Sequence, residues 1–295
     1  MFLDAQKEII LFLQEYANTV TEVFFSAVSF LGDPEFYILL LGLIYWVLHK
    51  RLGEVLAVTL GTSISLNNVL KGILMIDRPF QTYDEVQNLR EYGATGSSMP
   101  SGHAQGSSTV FFAIARHFNR RNAFIVASVL AVLMMISRMF LGVHYLQDVV
   151  AGTAIGILVA LIIYSVYDRL ESNDTALHLF YFLLILAFFP GVILLADNET
   201  ANDFFRGYGI LTGFAAAIII EKRFVNFTLA IPWFKKILRY FIGIALMLLV
   251  MEVFGRAFEG VEDVARSNVL DFIRFFAVAF IGFGIYPIIF KALRF

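Results

Sequence analysis

Three short blocks between Lys71 and Asp148 carry side chains able to do chemistry on an anion. The first is Lys71-Gly-Ile-Leu-Met-Ile-Asp-Arg78-Pro79. The second is Pro100-Ser101-Gly102-His103, and the third is Ser137-Arg138 followed by His144 and Asp148. Each sets a cation or an imidazole at the end of an apolar segment, and charge at membrane depth is expensive enough that it usually has a task. Lys71 supplies a mobile point charge, while Arg78 and Arg138 supply planar forks, so together they suit a tetrahedral oxyanion held from several directions. Pro100 suits the first turn of a helix and Gly102 permits close backbone approach, so amides near Ser101, Gly102 and His103 are expected to hold phosphate at a helix N-terminus. His144 and Asp148 stand four apart and would share one helical face, the carboxylate accepting from one ring nitrogen and leaving the other as a nucleophile. His103, with an ordinary pKa of about 6.5, suits a general acid for the departing oxygen. The expected chemistry is hydrolysis through a phosphohistidine on His144, followed by attack of water.

Taken singly, each piece is ordinary. A His-x-x-x-Asp pair is usually a surface contact, a Lys or Arg at the end of a span usually snorkels, and Pro-Ser-Gly usually caps. Three blocks in fixed order on one side of a membrane supply every group that a phosphate site requires. A metal site is not expected, because two histidines and one carboxylate would have to hold an ion among three cations. His49, His117 and His178 are expected near the opposite face, without a catalytic role.

The elements that must position these blocks are apolar helices. The chain has 295 residues, of which 59% are hydrophobic and only 16% charged, with 32 Phe. Its mean hydropathy is +0.77, and a soluble domain would carry about 25% charged residues. Several runs approach the ~20 residues needed to cross a bilayer as helix. The fold class expected is all-α, a polytopic membrane helix bundle with about nine spans. These are 35–49, 54–76, 101–116, 122–142, 146–167, 177–196, 207–221, 237–254 and 271–290. Residues 5–31, interrupted by Glu8, Glu15 and Glu22, are expected to form an amphipathic helix at the interface, the alternative being a poor first span. Asp4, Glu8 and Glu15 also argue against a cleavable signal peptide. Asp33-Pro34 has the form of a helix start. Residues 80–100 form a polar rim or lid, and the pairs Gly152/Gly156 and Gly209/Gly213 are spaced for close helix packing. Cys is absent, so thiol chemistry and disulfides are excluded.

Basic residues fix an orientation. Lys50, Arg51, Arg116, Arg120, Arg121, Arg169, Lys222, Arg223, Lys235, Lys236, Arg239, Lys291 and Arg294 fall on one side. Asp84, Glu85, Glu91, Asp197, Glu199, Asp203, Glu259, Glu262 and Asp263 fall on the other. The basic side is expected to be cytoplasmic, with the N-terminus outside and the C-terminus inside. The three blocks then lie on the extracytoplasmic side.

The blocks resemble the signature of the type 2 phosphatidic acid phosphatase superfamily, Lys-x6-Arg-Pro, Pro-Ser-Gly-His and Ser-Arg-x5-His-x3-Asp. The match is without departure at Lys71, Arg78, Pro79, Pro100, Ser101, Gly102, His103, Ser137, Arg138, His144 and Asp148, within roughly residues 30–170. The resemblance implies a six-helix core and phosphate binding by Lys71, Arg78, Ser101, Gly102 and Arg138. It implies His103 as the acid, His144 as the nucleophile and Asp148 as its partner, with no metal or other cofactor. The span layout, and Glu91…Thr95-Gly96-Ser97-Ser98 ahead of Pro100, are also similar to glucose-6-phosphatase. The organisation expected is an interfacial segment 1–31, a phosphatase core 32–170, and additional helices 171–295 of unassigned role.

The first expectation for function is an outward-facing phosphatase of lipid phosphates or diphosphates in a bacterial plasma membrane. The headgroup would enter a boundary site while its tail stays in lipid. A sugar-phosphate phosphatase and a catalytically idle transporter or scaffold are the alternatives. Expected partners are the lipid substrate and membrane lipids; nucleic acid is not expected, and homo-oligomerisation is left open.

Overall fold

The computed structural model describes residues 2–90, 96–198 and 201–292. Glu91, Thr95, Glu199 and Arg294, named above, lie outside the described residues. Among the described residues the regular structure is all helical, in thirteen helices. These are α1 (Phe2–Gln14), α2 (Thr19–Phe30), α3 (Pro34–Leu43), α4 (Lys50–Leu74), α5 (Pro79–Thr82), α6 (Gly102–Phe118), α7 (Arg121–Phe140), α8 (Leu146–Leu170), α9 (Asp174–Leu194), α10 (Asn202–Ile220), α11 (Trp233–Ala257), α12 (Val264–Phe280) and α13 (Tyr286–Ala292). Single π turns extend α3 and α10 and join α12 to α13.

A helix occupies each expected span, but among the described residues only six are long and apolar enough to cross a membrane. They are α7, α8, α9, α10 with its π turn, α11, and α12 continued into α13. A seventh arises if α2 and α3, bent by 55° at residues 31–33, count as one. The expected α4 and α6 do not qualify. The 17 residues of α6 include Gln105, Ser107, Ser108 and Thr109, and α4 carries Thr62, Ser63, Asn67 and Asn68; all of these are buried. Polar side chains at such positions need surrounding protein rather than lipid.

The expected single helix over 5–31 is two. Asn18 breaks it by capping α2: its side chain accepts from the Val20 and Thr21 amides, and the Thr21 hydroxyl accepts from the Asn18 amide. This reciprocal bonding satisfies donors that a continuous helix would not leave free.

The chain divides into two compact units. The first comprises Met1–Phe36 and Leu66–Ile162. In it α1, α2 and α6 pack on α7, with Ile10, Ala104, Met134, Tyr145 and Val149 sharing a core. The Gln14 side chain donates to the carbonyls of Gln87 (2.8 Å) and Phe140 (3.1 Å) and accepts from the Gln87 amide (3.1 Å). The α6 and α8 backbones touch because Gly152 and Gly156 have no Cβ; one at Gly152 would lie 2.6 Å from the Ser101 carbonyl, and one at Gly156 2.3 Å from that of Gln105. The second unit, Tyr37–Ser65 and Ile163–Phe295, repeats the device: Gly209 and Gly213 of α10 face the Phe272 and Phe276 carbonyls of α12.

One turn in the first unit tolerates only glycine. Gly142, between α7 and α8, has φ +75°, and a Cβ there would lie 2.1 Å from the Gln87 carbonyl oxygen. Gly142→Ala is expected to cost about 1–3 kcal/mol through the strained backbone alone, read as a lowered thermal unfolding midpoint in detergent.

Candidate active site

Within the first unit, the end of α4, the start of α6, the end of α7 and the start of α8 come together. Each places one piece of the three blocks there.

Arg78 is 2% exposed and caps the short α5, of which Pro79 is the first residue. Its guanidinium donates from Nε to the Gly96 carbonyl (3.0 Å) and from Nη1 to the Val143 carbonyl (3.1 Å). Nη1 also lies 3.3 Å from His144 Nε2. A guanidinium has only donors, so Nε2 is the acceptor and the ring's proton is assigned to Nδ1.

His144 is buried in the connection between α7 and α8, not on the helix. The shared helical face expected for His144 and Asp148 is therefore absent, because α8 begins only at Leu146. His144 Nδ1 is 3.6 Å from Asp148 Oδ2, too far for a hydrogen bond. Ser98, fully buried, stands between them, with Oγ 3.3 Å from Nδ1 and 2.5 Å from Oδ2. Asp148 Oδ2 also accepts from the Tyr145 amide (2.8 Å), and the Asp148 carbonyl accepts from the Ser101 amide (3.0 Å). Burial first, then the charges of Arg78, Arg138 and Lys71, holds the His144 imidazole well below its ordinary pKa. Lys71 contributes that charge from a half-buried position in the last turn of α4.

Ser101 is the N-cap of α6, so Pro100 lies ahead of the helix and not in its first turn. Gly102 makes room for Asn67: a Cβ there would lie 3.3 Å from Asn67 Oδ1. The Asn67 amide in turn donates to the Pro100 carbonyl (3.2 Å) and to Gln105 Oε1 (2.8 Å).

A second network surrounds His103 and Arg138. His103 Nε2 donates to Asp33 Oδ1 (2.8 Å), which also accepts from Arg90 Nη2 (2.5 Å). Arg138, 1% exposed, donates from Nη1 to Ser29 Oγ (2.5 Å), and Arg90 reaches the same hydroxyl. Arg138 Nε has no partner among the described residues. Ser137 donates to the Phe25 carbonyl (2.7 Å) and so ties α7 to α2.

Four residues in these networks escape a reading of the blocks alone: Ser98, Asp33, Ser29 and Arg90. Asp33 looks like a helix start, and Ser98 like filler ahead of Pro100. Arg90 carries a usable signal, since it is a cation in a loop otherwise rich in acids. Ser29 carries none. Among the described residues no three His, Asp or Glu gather as a metal site would require.

The chain matches the family model "PAP2 superfamily" over residues 54–172. It matches "PAP2 superfamily phosphatase, transmembrane extension" over residues 205–295. It is 28% identical over 189 residues to the lipid phosphate phosphatase delta of Arabidopsis thaliana, covering 57% of this chain and 44% of that protein. It is 28% identical to the sphingosine-1-phosphate phosphatase 1 of Rattus norvegicus, covering 76% and 57%. Against the phosphatidylglycerophosphatase B of Bacillus subtilis the identity is 30%, covering 40% and 60%. The chain thus spans about half the length of the curated relatives it matches. A solved PAP2-type phosphatidylglycerolphosphate phosphatase from Bacillus subtilis aligns with a TM-score of 0.49 at 24% identity, covering 57% of this chain and 87% of that one. With the three blocks unbroken and two models of one superfamily together matching most of its length, the chain belongs to the type 2 phosphatidic acid phosphatase (PAP2) superfamily.

Proposed function

We propose that this protein is a membrane phosphatase that hydrolyses lipid phosphate or diphosphate esters without a metal, through a phosphohistidine on His144. The observation that carries the reading is the accepting Nε2 of a buried, neutral imidazole held against the Arg78 guanidinium. Phosphorus brought to Arg78, Arg138 and Lys71 by its oxygens would face that lone pair. Nε2 attacks, the P–O bond breaks, and His103, as the imidazolium, gives its Nδ1 proton to the departing oxygen while its Nε2–H stays on Asp33. His103 then accepts a proton from the water that cleaves the P–N bond. Asp33 holds the His103 ring through Nε2, and the first amides of α6 offer additional donors to phosphate.

The lipid class is supported by the three relatives named above, each named as a phosphatase of a phosphate-bearing lipid. The basic loops at the far helix ends support an extracytoplasmic site, with the N-terminus outside and the C-terminus cytoplasmic. Residues 1–31 would brace the core of 32–170, with 171–295 forming the extension.

The test is phosphate release by purified protein in detergent with EDTA present, from phosphatidate, phosphatidylglycerophosphate, sphingosine 1-phosphate, a polyprenyl diphosphate and glucose 6-phosphate. Release from one of the lipids supports the proposal. Preference for the sugar phosphate over every lipid, or no release from any, overturns it. Arg138→Gln is expected to weaken inhibition by inorganic phosphate about 10- to 100-fold, as loss of a charge-assisted contact implies; an unchanged inhibition constant would remove Arg138 from the cradle.

A further inference from the structure

We propose that Ser98 is a positioning residue whose hydroxyl bridges Asp148 to His144, so that the nucleophile is oriented by a three-membered Asp–Ser–His chain and not by the carboxylate directly. The inference rests on the reading of His144 as nucleophile. A serine hydroxyl offers one donor and two acceptor positions. The short 2.5 Å contact to Asp148 Oδ2 takes the donor, because an ionised carboxylate can only accept. A lone pair of Oγ then faces Nδ1 at 3.3 Å, where the ring's proton lies if Nε2 accepts from Arg78.

Ser98 is well fixed for this work. Its amide donates to the Ile76 carbonyl (2.7 Å), and the neighbouring Ser97 hydroxyl accepts from the Ile76 amide (3.0 Å). The segment before Pro100 is thereby pinned to the segment that ends in Arg78. The hydroxyl has no exposure to solvent.

During attack the Nε2 lone pair forms the P–N bond, and the electron pair of the breaking P–O bond leaves on oxygen with the proton of His103. Nδ1 keeps its proton throughout, as does Ser98. The positive charge that develops on the ring is met by Asp148 through the shared hydroxyl. No proton crosses the chain, so the bridge orients and polarises but does not relay.

Three variants test the bridge. Ser98→Ala is expected to lower kcat about 10- to 100-fold, the loss of one hydrogen bond to a charged group, while KM and inhibition by inorganic phosphate stay within about 3-fold. Ser98→Thr, which keeps the hydroxyl, should recover most of the loss. Adding Ser98→Ala to Asp148→Asn should cost little more than Asp148→Asn alone, because members of one unit are not additive. Wild-type kcat in Ser98→Ala, an equal loss of kcat and phosphate binding, or additive losses in the double variant would each overturn the bridge. Nitrogen-15 NMR of labelled histidines provides a readout without turnover. The Nδ1–H form of His144, fixed by Arg78 at Nε2, should persist in Ser98→Ala, but its Nδ1 and Hδ1 resonances should shift upfield because that proton loses its acceptor; unchanged resonances overturn the bridge. Wild-type protein inert on every phosphate ester would sink the phosphatase reading, and the NMR result would still decide the bridge.

Discussion

His144→Ala is expected to abolish turnover, with kcat falling about 10⁴- to 10⁶-fold, as when the nucleophile of a cooperating set is deleted. The size follows from the position of the ring. Among the described residues, Nε2 is the nitrogen that accepts from Arg78, and removing the ring removes that lone pair. Wild-type protein quenched in base after brief exposure to a radiolabelled substrate should carry an acid-labile phosphoenzyme; the variant should carry none. A thermal unfolding midpoint within a few degrees of wild type would show that the fold survives. Full activity, or a persisting acid-labile phosphoenzyme, would transfer the nucleophile's role elsewhere.

Asp148→Asn is expected to rank next, lowering kcat about 10²- to 10⁴-fold with little change in binding of inorganic phosphate. In serine proteases the equivalent carboxylate-to-amide change costs ~10⁴ through the wrong imidazole tautomer. Oδ2 of Asp148 receives both the Ser98 hydroxyl and the Tyr145 amide. An amide nitrogen placed there would turn a donor toward two donors, and turning the side chain to avoid this would still remove the negative charge that offsets the imidazolium. Lys71, Arg78 and Arg138 are untouched, so the anion should bind as before. Steady-state kinetics with phosphate as a competitive inhibitor separates the two quantities. A parallel fall of kcat and phosphate affinity would recast Asp148 as a support of the fold.

The three blocks are legible in the sequence because each needs residues whose chemistry is costly in an apolar chain. Lys71, Arg78, His103, Arg138 and His144 stand out against a background rich in Phe, Leu and Ile. Helical structure is legible for the same reason. Four things are not. The break at Asn18 depends on a cap that competes with helix continuation over a few residues, which apolar periodicity does not register. The polar faces of α4 and α6 pass for parts of ordinary spans until neighbouring helices are seen to bury them. The placement of His144 off the helix turns on Gly142, where a positive φ ends α7 and makes the His144–Asp148 spacing describe a turn followed by a helix. Ser29 and Asp33 are recruited from distant segments by tertiary contact, and no local pattern announces their part in the site.

Asp148, Gly152 and Gly156 recur at intervals of four along α8, and the two glycines lie directly on the backbone of α6. The angular setting of the carboxylate is therefore fixed by main-chain contact, which has almost no slack. An insertion or deletion of one residue between positions 148 and 152 would rotate one part of the helix by about 100° against the other, leaving its hydropathy unchanged while turning either the acid or the contact surface away. Such a helix can drift widely in composition on its outward sides, but its phase cannot drift at all.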